Sequence, residues 1–442
     1  MAVLQDLPNE IIYQILSALY SSYNPKLDPT PRLNTFLALG RVSRRLRKNA
    51  ERFIYRTVDV GYSPTSTSKH KRPWQLLRTL IARPYLAAYI RSISIRWGTE
   101  HKPKVTSHEN ALFTAAASKL GLELAVRWEG DQALLLCHML KNVETLAISY
   151  PPDFGPNLTD PFGLLREYGP SVPAPGVPPL STTGMQGIHT LTVHSESTTT
   201  AQHIIPMLLL PNLRTLTAHH VTTTAALLPE NPAWHGASRV THLRLLACEL
   251  HGSTLAIMFR VASKLKHLEY DDAGGRFNPA HACDEAFAAA LQIVRPTLQH
   301  LAVNLAKVQA RDGTHGKVGS LKAFPLLREV VCNYGAIWGM TFATFTPGVA
   351  WRLEFAAALP AALEALEVWL PWEFTMSWLG ELLKEKETRF RFLKIIRMYP
   401  MGKYGSRGKR FIKKFRRKAE RVGVKVGVAK MVGDRIAGYE FS

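Results

Sequence analysis

Residues 240–245 read Val240-Thr241-His242-Leu243-Arg244-Leu245, and 25 residues on, Leu265-Lys266-His267-Leu268-Glu269-Tyr270 repeats the same apolar spacing. Outward from this pair, the pattern L-x-x-L-x-L recurs in both directions. Toward the N-terminus it stands at Leu213-x-x-Leu216-x-Ala218, Ile188-x-x-Leu191-x-Val193, Val143-x-x-Leu146-x-Ile148 and Ile90-x-x-Ile93-x-Ile95. Toward the C-terminus it stands at Leu298-x-x-Leu301-x-Val303, Leu327-x-x-Val330-x-Cys332, Leu363-x-x-Leu366-x-Val368 and Phe390-x-x-Leu393-x-Ile395. The central residues are separated by 53, 45, 25, 27, 25, 33, 29, 36 and 27 positions. The last seven intervals fit one unit each, and the first two fit a unit plus an insertion.

Within each copy the L-x-L alternation predicts a strand with one face inward. Between copies, apolar residues at helical spacing predict helices over 109–120, 131–140, 254–265 and 284–294. Strand, helix, strand with short connections implies parallel strands joined by right-handed crossovers. The fold class is therefore α/β, built as a curved solenoid. Tyr55 to Val60 supplies a first strand, and Val424-x-Val426-x-Val428 alternates like a last one. The spacing resembles leucine-rich repeats, whose units run about 20–29 residues. The Asn or Cys usual after the strand is mostly absent, so the array is similar to the degenerate form.

Residues 151–184 break the array. They hold nine prolines and five glycines in 34 residues, too many for a helix or a strand ladder. This segment reads as a surface insertion, either inert or a flap over the inner face of the array.

The first sixty residues have a different period. Pro8 suits a helix start and Glu10 the first turn, where the helix dipole favours an anion. Ile11, Ile12, Ile15, Leu16 and Leu19 then form one broad apolar face. Thr30-Pro31 opens a second helix carrying Leu33, Phe36, Leu37 and Leu39. Val42, Leu46, Ala50 and Phe53 mark a third, with Arg44, Arg45, Arg47 and Lys48 opposite. A unit this small buries only about 60% of its unfolded surface, so apolar residues are left for something else to cover.

Leu7-Pro8-x-Glu10-Ile11, Ile15-Leu16, Val42-Ser43-Arg44 with Leu46, and Phe53-x-Tyr55-Arg56 follow in the order of an F-box, and residues 1–58 resemble one. Two departures are a long loop at 20–30 and Leu46 where many members have tryptophan. The resemblance implies docking on a Skp-type adaptor, and through it on a cullin of a ubiquitin ligase. The matching positions are Leu7, Pro8, Ile11, Ile15, Leu16, Val42 and Leu46. Residues 59–442 then form the leucine-rich-repeat-like part, which in such a subunit holds the target protein.

Composition narrows the alternatives. The chain has 442 residues and a formal charge of +21. The excess is concentrated in Arg32–Arg56, with eight basic residues and one acidic, and in Lys403–Lys430, with twelve and one. Phe411, Phe415, Ala419 and Val422 share a helical face in the second run, which predicts a basic C-terminal cap over 405–442. A nucleic-acid-associated scaffold using this run is the competing reading. No apolar stretch is long enough for a membrane span, and Asp6 and Glu10 stand where a secretory leader would be basic. Cys137, Cys248, Cys283 and Cys332 form no C-x-x-C and read as buried thiols of the cytoplasm or nucleus.

Catalytic patterns are missing. Gly313-Thr-His-Gly316-Lys317-Val318 lacks Walker spacing and its hydroxyl residue, and neither H-E-x-x-H nor G-x-S-x-G occurs. His219-His220 and His281-x-Cys283-Asp284 lack the second pair that a metal site needs. The sequence implies no enzyme, metal or cofactor. Five of the nine tryptophans, Trp338, Trp351, Trp369, Trp372 and Trp378, fall within 41 residues. Tryptophan is enriched at binding hot spots, which makes Trp369 and Trp372 the candidate target-binding residues.

Overall fold

The computed structural model describes residues 7–23, 30–61, 73–96, 106–122, 129–150, 184–195, 199–223, 232–272, 284–304, 318, 320–333, 357–370, 375–400, 406–432 and 435–441. The Pro/Gly-rich segment at 151–183, Trp338, Trp351, Trp372 and Cys283 lie outside them. The chain divides into two compact units, Met1–Ser197 with Leu210–Leu213, and Thr198–Leu209 with Arg214–Ser442.

The first unit opens with α1 (Asn9–Ser22), α2 (Thr30–Val42) and α3 (Arg44–Ile54). Pro8 stands just before α1 and its carbonyl accepts the first helical bond, from Ile12 N at 3.1 Å. Ser43 separates α2 from α3: its backbone is extended and its Oγ accepts from Leu46 N at 3.1 Å. That bond satisfies a donor left open at the helix start. Ile12, Leu16, Phe36, Leu46, Ala50 and Phe53 close into one core. Phe36 and Phe53 stack at its centre with ring centroids 5.4 Å apart.

The same unit continues through β1 (Thr57–Gly61), α4 (Pro73–Ala82), a 3-10 turn (Pro84–Tyr89) and β2 (Ser92–Arg96). It ends with α5 (Ser107–Lys119), α6 (Glu129–Met139), β3 (Thr145–Tyr150) and β4 (Thr190–Ser195). Strands β1 to β4 pair in chain order, all parallel. The register sets Ile93 beside Leu146 and Leu146 beside Leu191, so the repeat's central residues form one buried row. α5 begins earlier than its apolar pattern because Thr106 and Glu109 make a reciprocal capping box.

The second unit holds β5 (Thr199–Thr200), α7 (Ala201–Met207), β6 (Thr215–His219), β7 (Val221–Thr222), β8 (His242–Cys248), α8 (Gly252–Val261) and β9 (His267–Asp272). It continues with α9 (Asp284–Val294), β10 (His300–Asn304), β11 (Glu329–Asn333), β12 (Ala365–Leu370), α10 (Thr375–Lys384) and β13 (Ile395–Pro400). α11 (Ser406–Arg421), β14 (Lys425–Val432) and β15 (Arg435–Phe441) close it. From β6 to β14, omitting the short β5–β7 ladder, neighbours pair in chain order and parallel. This is a solenoid-like α/β repeat.

One hydrogen-bond device recurs at the strand entrances. The carbonyl of Thr241 accepts from Lys266 N and His267 N, and that of Lys266 from Gln299 N and His300 N. In the first unit the carbonyl of Arg91 serves Glu144 N and Thr145 N in the same way. The first apolar residue of each repeat lies just upstream of this bond, buried beneath the turn: Val143, Leu265, Leu298 and Leu363 are examples.

Three expectations need correction. The last repeat is not Phe390-x-x-Leu393-x-Ile395: Leu366 pairs with Ile396 and Val368 with Met398, so the frame is Leu393-x-x-Ile396-x-Met398. Phe390 is buried in the preceding turn, where its carbonyl accepts from Leu393 N at 2.9 Å. Its apolar side chain mimics the repeat's first position three residues early. Next, β14 is not the final strand, since β15 returns antiparallel against it. Lastly, α8 ends at Val261 and not Leu265, because Leu265 N bonds Ala262 O in the turn that feeds β9. The basic run 409–418 lies within α11, whose Phe415 and Ala419 are buried, and Lys418 Nζ donates to Gly380 O at 3.0 Å.

Candidate functional site

Two surfaces carry the residues singled out in the sequence. On the N-terminal helices the seven positions separate by depth. Leu16 and Leu46 are 2% and 1% exposed and belong to the core. Leu7 packs partly against that core, and Pro8 is exposed. Ile11 (39%), Ile15 (44%) and Val42 (60%) face outward. Ile11 and Ile15 are one turn apart on α1, as are the exposed Leu33 and Leu37 on α2. Sequence reading placed the latter two on the second helix but not among the contact positions. The helical pattern gave an apolar face, and only packing shows which part of it stays uncovered.

The start of α1 is fixed by α3. Arg45 donates to Leu7 O at 2.6 Å and to Asn9 Oδ1 at 2.8 Å. On the far side of α3, the buried Glu51 accepts from Arg83 Nη2 at 2.5 Å and from Tyr85 OH at 3.2 Å. Glu51 and the Tyr85 hydroxyl, both bonded to the Arg83 guanidinium, push its pKa upward. These charge-assisted bonds tie the start of α1 to α3, and α3 to the 3-10 turn.

The second surface is the open face of the sheet in the second unit, formed by side chains that alternate with the buried rows. His242, His267 and His300 stand side by side on β8, β9 and β10, in register. The first two rings stack with centroids 4.1 Å apart, and the second and third are 5.6 Å apart. His300 Nδ1 lies 3.0 Å from Glu329 Oε2 on β11, and Glu329 Oε1 accepts from Arg397 Nη1 at 2.9 Å from β13. Those two bonds, His300 first, hold the Glu329 carboxyl down at about 2 despite partial burial. Burial is the main cause that lowers His242 and His267 below the ordinary histidine value. A second row pairs Arg244 with Glu269 and Asn304 with Asp271.

Trp369 lies on this face, opposite in direction to the buried Val368, as its place in the strand requires. Its ring lies 5.7 Å from Tyr399, and its Nε1 donates to Glu367 Oε1 at 3.3 Å. Trp372 is outside the described residues, and so is the side chain of Trp378. The histidine row escaped the sequence reading, which followed only inward positions. Its signal is a histidine immediately before the central leucine in three successive units.

No protein-family model matches this chain, and no curated protein matches it. Among solved structures, the chain is similar to one described as the Rad7 and Elc1 complex in yeast. Identity is 13%, the alignment covers 90% of this chain and 91% of that one, and the TM-score is 0.32. At that distance the likeness carries no inference about function.

Among the described residues, no group of three or more His, Cys, Asp or Glu side chains is arranged to hold a metal ion. Cys137, Cys248 and Cys332 are buried thiols, and burial pushes Cys137 and Cys332 up to about 12. No described helix is long and apolar enough to cross a membrane.

Proposed function

We propose that the chain is the substrate-recognition subunit of a Skp-cullin-F-box ubiquitin ligase, acting in the cytoplasm or nucleus. The observation that carries this reading is the outward exposure of Ile11, Ile15 and Val42 beside a closed core of their neighbours. Leu7, Pro8, Ile11, Ile15 and Val42 contact the adaptor, while Leu16 and Leu46 hold the helices in the presenting geometry. Apolar anchors at the centre of an interface contribute most of its affinity. The adaptor in turn bridges to a cullin.

The open face around Trp369, Tyr399 and the histidine row receives the target protein, and Trp372 is a further proposed contact. An aromatic pair beside satisfied charged groups suits a protein partner, whose own polar groups find complements at the rim. The chain contributes no acid, base or nucleophile to ubiquitin transfer. Its contribution is positional: tethering raises the effective concentration of the target's lysines near the loaded conjugating enzyme. The burial of Phe415 and Ala419 favours α11 as a cap on the repeat over a nucleic-acid arm. Co-expression with a Skp-type adaptor and co-elution on size exclusion tests the reading. Recovery of the wild-type chain without adaptor would sink it.

A further inference from the structure

An open cavity of about 500 Å³ lies in the first unit, where the C-terminal end of α3 meets the entrances of β2 and β3. Arg52, Arg56 and Arg91 line it together with one carboxylate, Glu144, and with Tyr13 and Tyr89 on its walls. Arg91 Nη1 is engaged by Glu144 Oε1 at 3.2 Å and by the carbonyl of Asn142. Arg52 and Arg56 are not engaged in that way. Among the described residues their guanidinium groups make ring contacts, Arg52 over Tyr89 at 5.6 Å and Arg56 over Tyr20 at 5.5 Å. Neither has a hydrogen-bond acceptor among the described residues.

The backbone fixes the spacing of this basic group. The carbonyl of Arg56 accepts from Arg91 N and Ser92 N, both at 3.0 Å, so two of the three arginines hang from one bifurcated bond. Tyr13 packs on Phe53 with centroids 5.3 Å apart and is thereby held to the α3 side. It sits two residues from both Ile11 and Ile15, about 200° around α1 from each, so the cavity and the outward apolar row use opposite flanks of that helix. A favourable helix dipole accounts for basic residues near the end of α3. It does not account for two arginines that line one hollow and have no side-chain acceptor among the described residues.

We infer that this cavity binds a phosphomonoester whose molecule also carries a planar ring. An unpaired guanidinium presents a planar fork of donors that matches phosphate oxygens, and two such forks suit a dianion. Tyr13 and Tyr89 supply faces for the ring, and a hollow of this size is in the usual range for small-ligand sites. The single carboxylate is already occupied by Arg91. Two sources share this chemistry: a phosphotyrosyl side chain of a protein, and a free nucleoside monophosphate. The inference stands apart from the adaptor reading and survives its failure.

Calorimetric titration of the full chain with phenyl phosphate tests it, with inorganic phosphate, a phosphotyrosyl peptide and AMP as further probes. Phenyl phosphate should bind more tightly than inorganic phosphate. R52Q/R56Q should weaken it at least about tenfold, as the loss of charge-assisted bonds requires. E144Q, which removes the carboxylate, should strengthen it and provides an independent check should the double variant fold poorly. K413Q/K414Q, on α11, should leave it unchanged. Tighter binding of the peptide than of AMP supports a protein source and the reverse a free nucleotide, and either result upholds the site. Absence of phenyl phosphate binding, or equal weakening by K413Q/K414Q, would overturn it.

Discussion

His242 and His267 stack face to face across neighbouring strands, with ring centroids 4.1 Å and planes 6° apart. Two neutral imidazoles tolerate this contact, and two imidazolium ions would repel. Burial, with neighbouring positive charges such as Lys266 as lesser causes, lowers both values from the ordinary one.

Acid should therefore loosen the second unit. A depressed folded value means that the unfolded chain binds protons more readily, so stability falls as pH drops through the unfolded value of about 6.5. The melting temperature of the wild-type chain should drop more between about pH 7.5 and about pH 5.5 than that of H242Q/H267Q. Equal drops would show that the stacked pair does not contribute.

Glu329 gives the second pH test. Its value of about 2 reflects bonds from His300 and Arg397, so its contribution is present above the unfolded carboxylate value and is lost as pH falls toward 2. Since the side chain is 34% exposed, solvent screening limits the effect. E329Q should cost roughly 1 kcal/mol in urea unfolding at neutral pH. Its stability should also fall less steeply in acid than that of the wild type.

The corrected frame of the last repeat separates two adjacent isoleucines. Ile396 is fully buried on β13 and Ile395 is half-buried on the opposite face. I396A should destabilise by about 2–5 kcal/mol, the usual cost of truncating a core isoleucine. I395A should cost well under half of that. Denaturant midpoints compare the two directly.

Much of the fold was legible because inward residues carry a regular signal. Nine of the ten repeat frames hold as read, since a strand's period of two and the buried leucine before it leave one consistent register. The tenth slipped because Phe390, a large apolar residue in the turn, imitates the repeat's first position. β15 gave little signal: Arg435 to Phe441 mixes charged, small and aromatic residues, and pairing with β14 decides its structure. α4 and α10 passed unread, although α4 opens on Pro73, the kind of start signal that marks α1 and α2. The candidate surfaces were legible only in part. An amphipathic pattern marks Ile11 and Leu16 alike as apolar, and packing alone decides that one is outside and the other inside. The histidine row shows only when successive repeats are aligned, and the arginine cavity joins α3 to the entrances of β2 and β3, which no local pattern reports.

The central claim is that the outward residues of α1 and the end of α2 await a second polypeptide. Co-expression of the full chain with a Skp-type adaptor, followed by size-exclusion chromatography of wild type, I11D/I15D and V42D, tests it most directly. A stable equimolar complex is expected for the wild type, and each variant should lose it while keeping the wild-type melting temperature, because these side chains make little of the core. A wild-type chain that elutes alone, or an I11D/I15D chain that still co-elutes with the adaptor, would contradict the account.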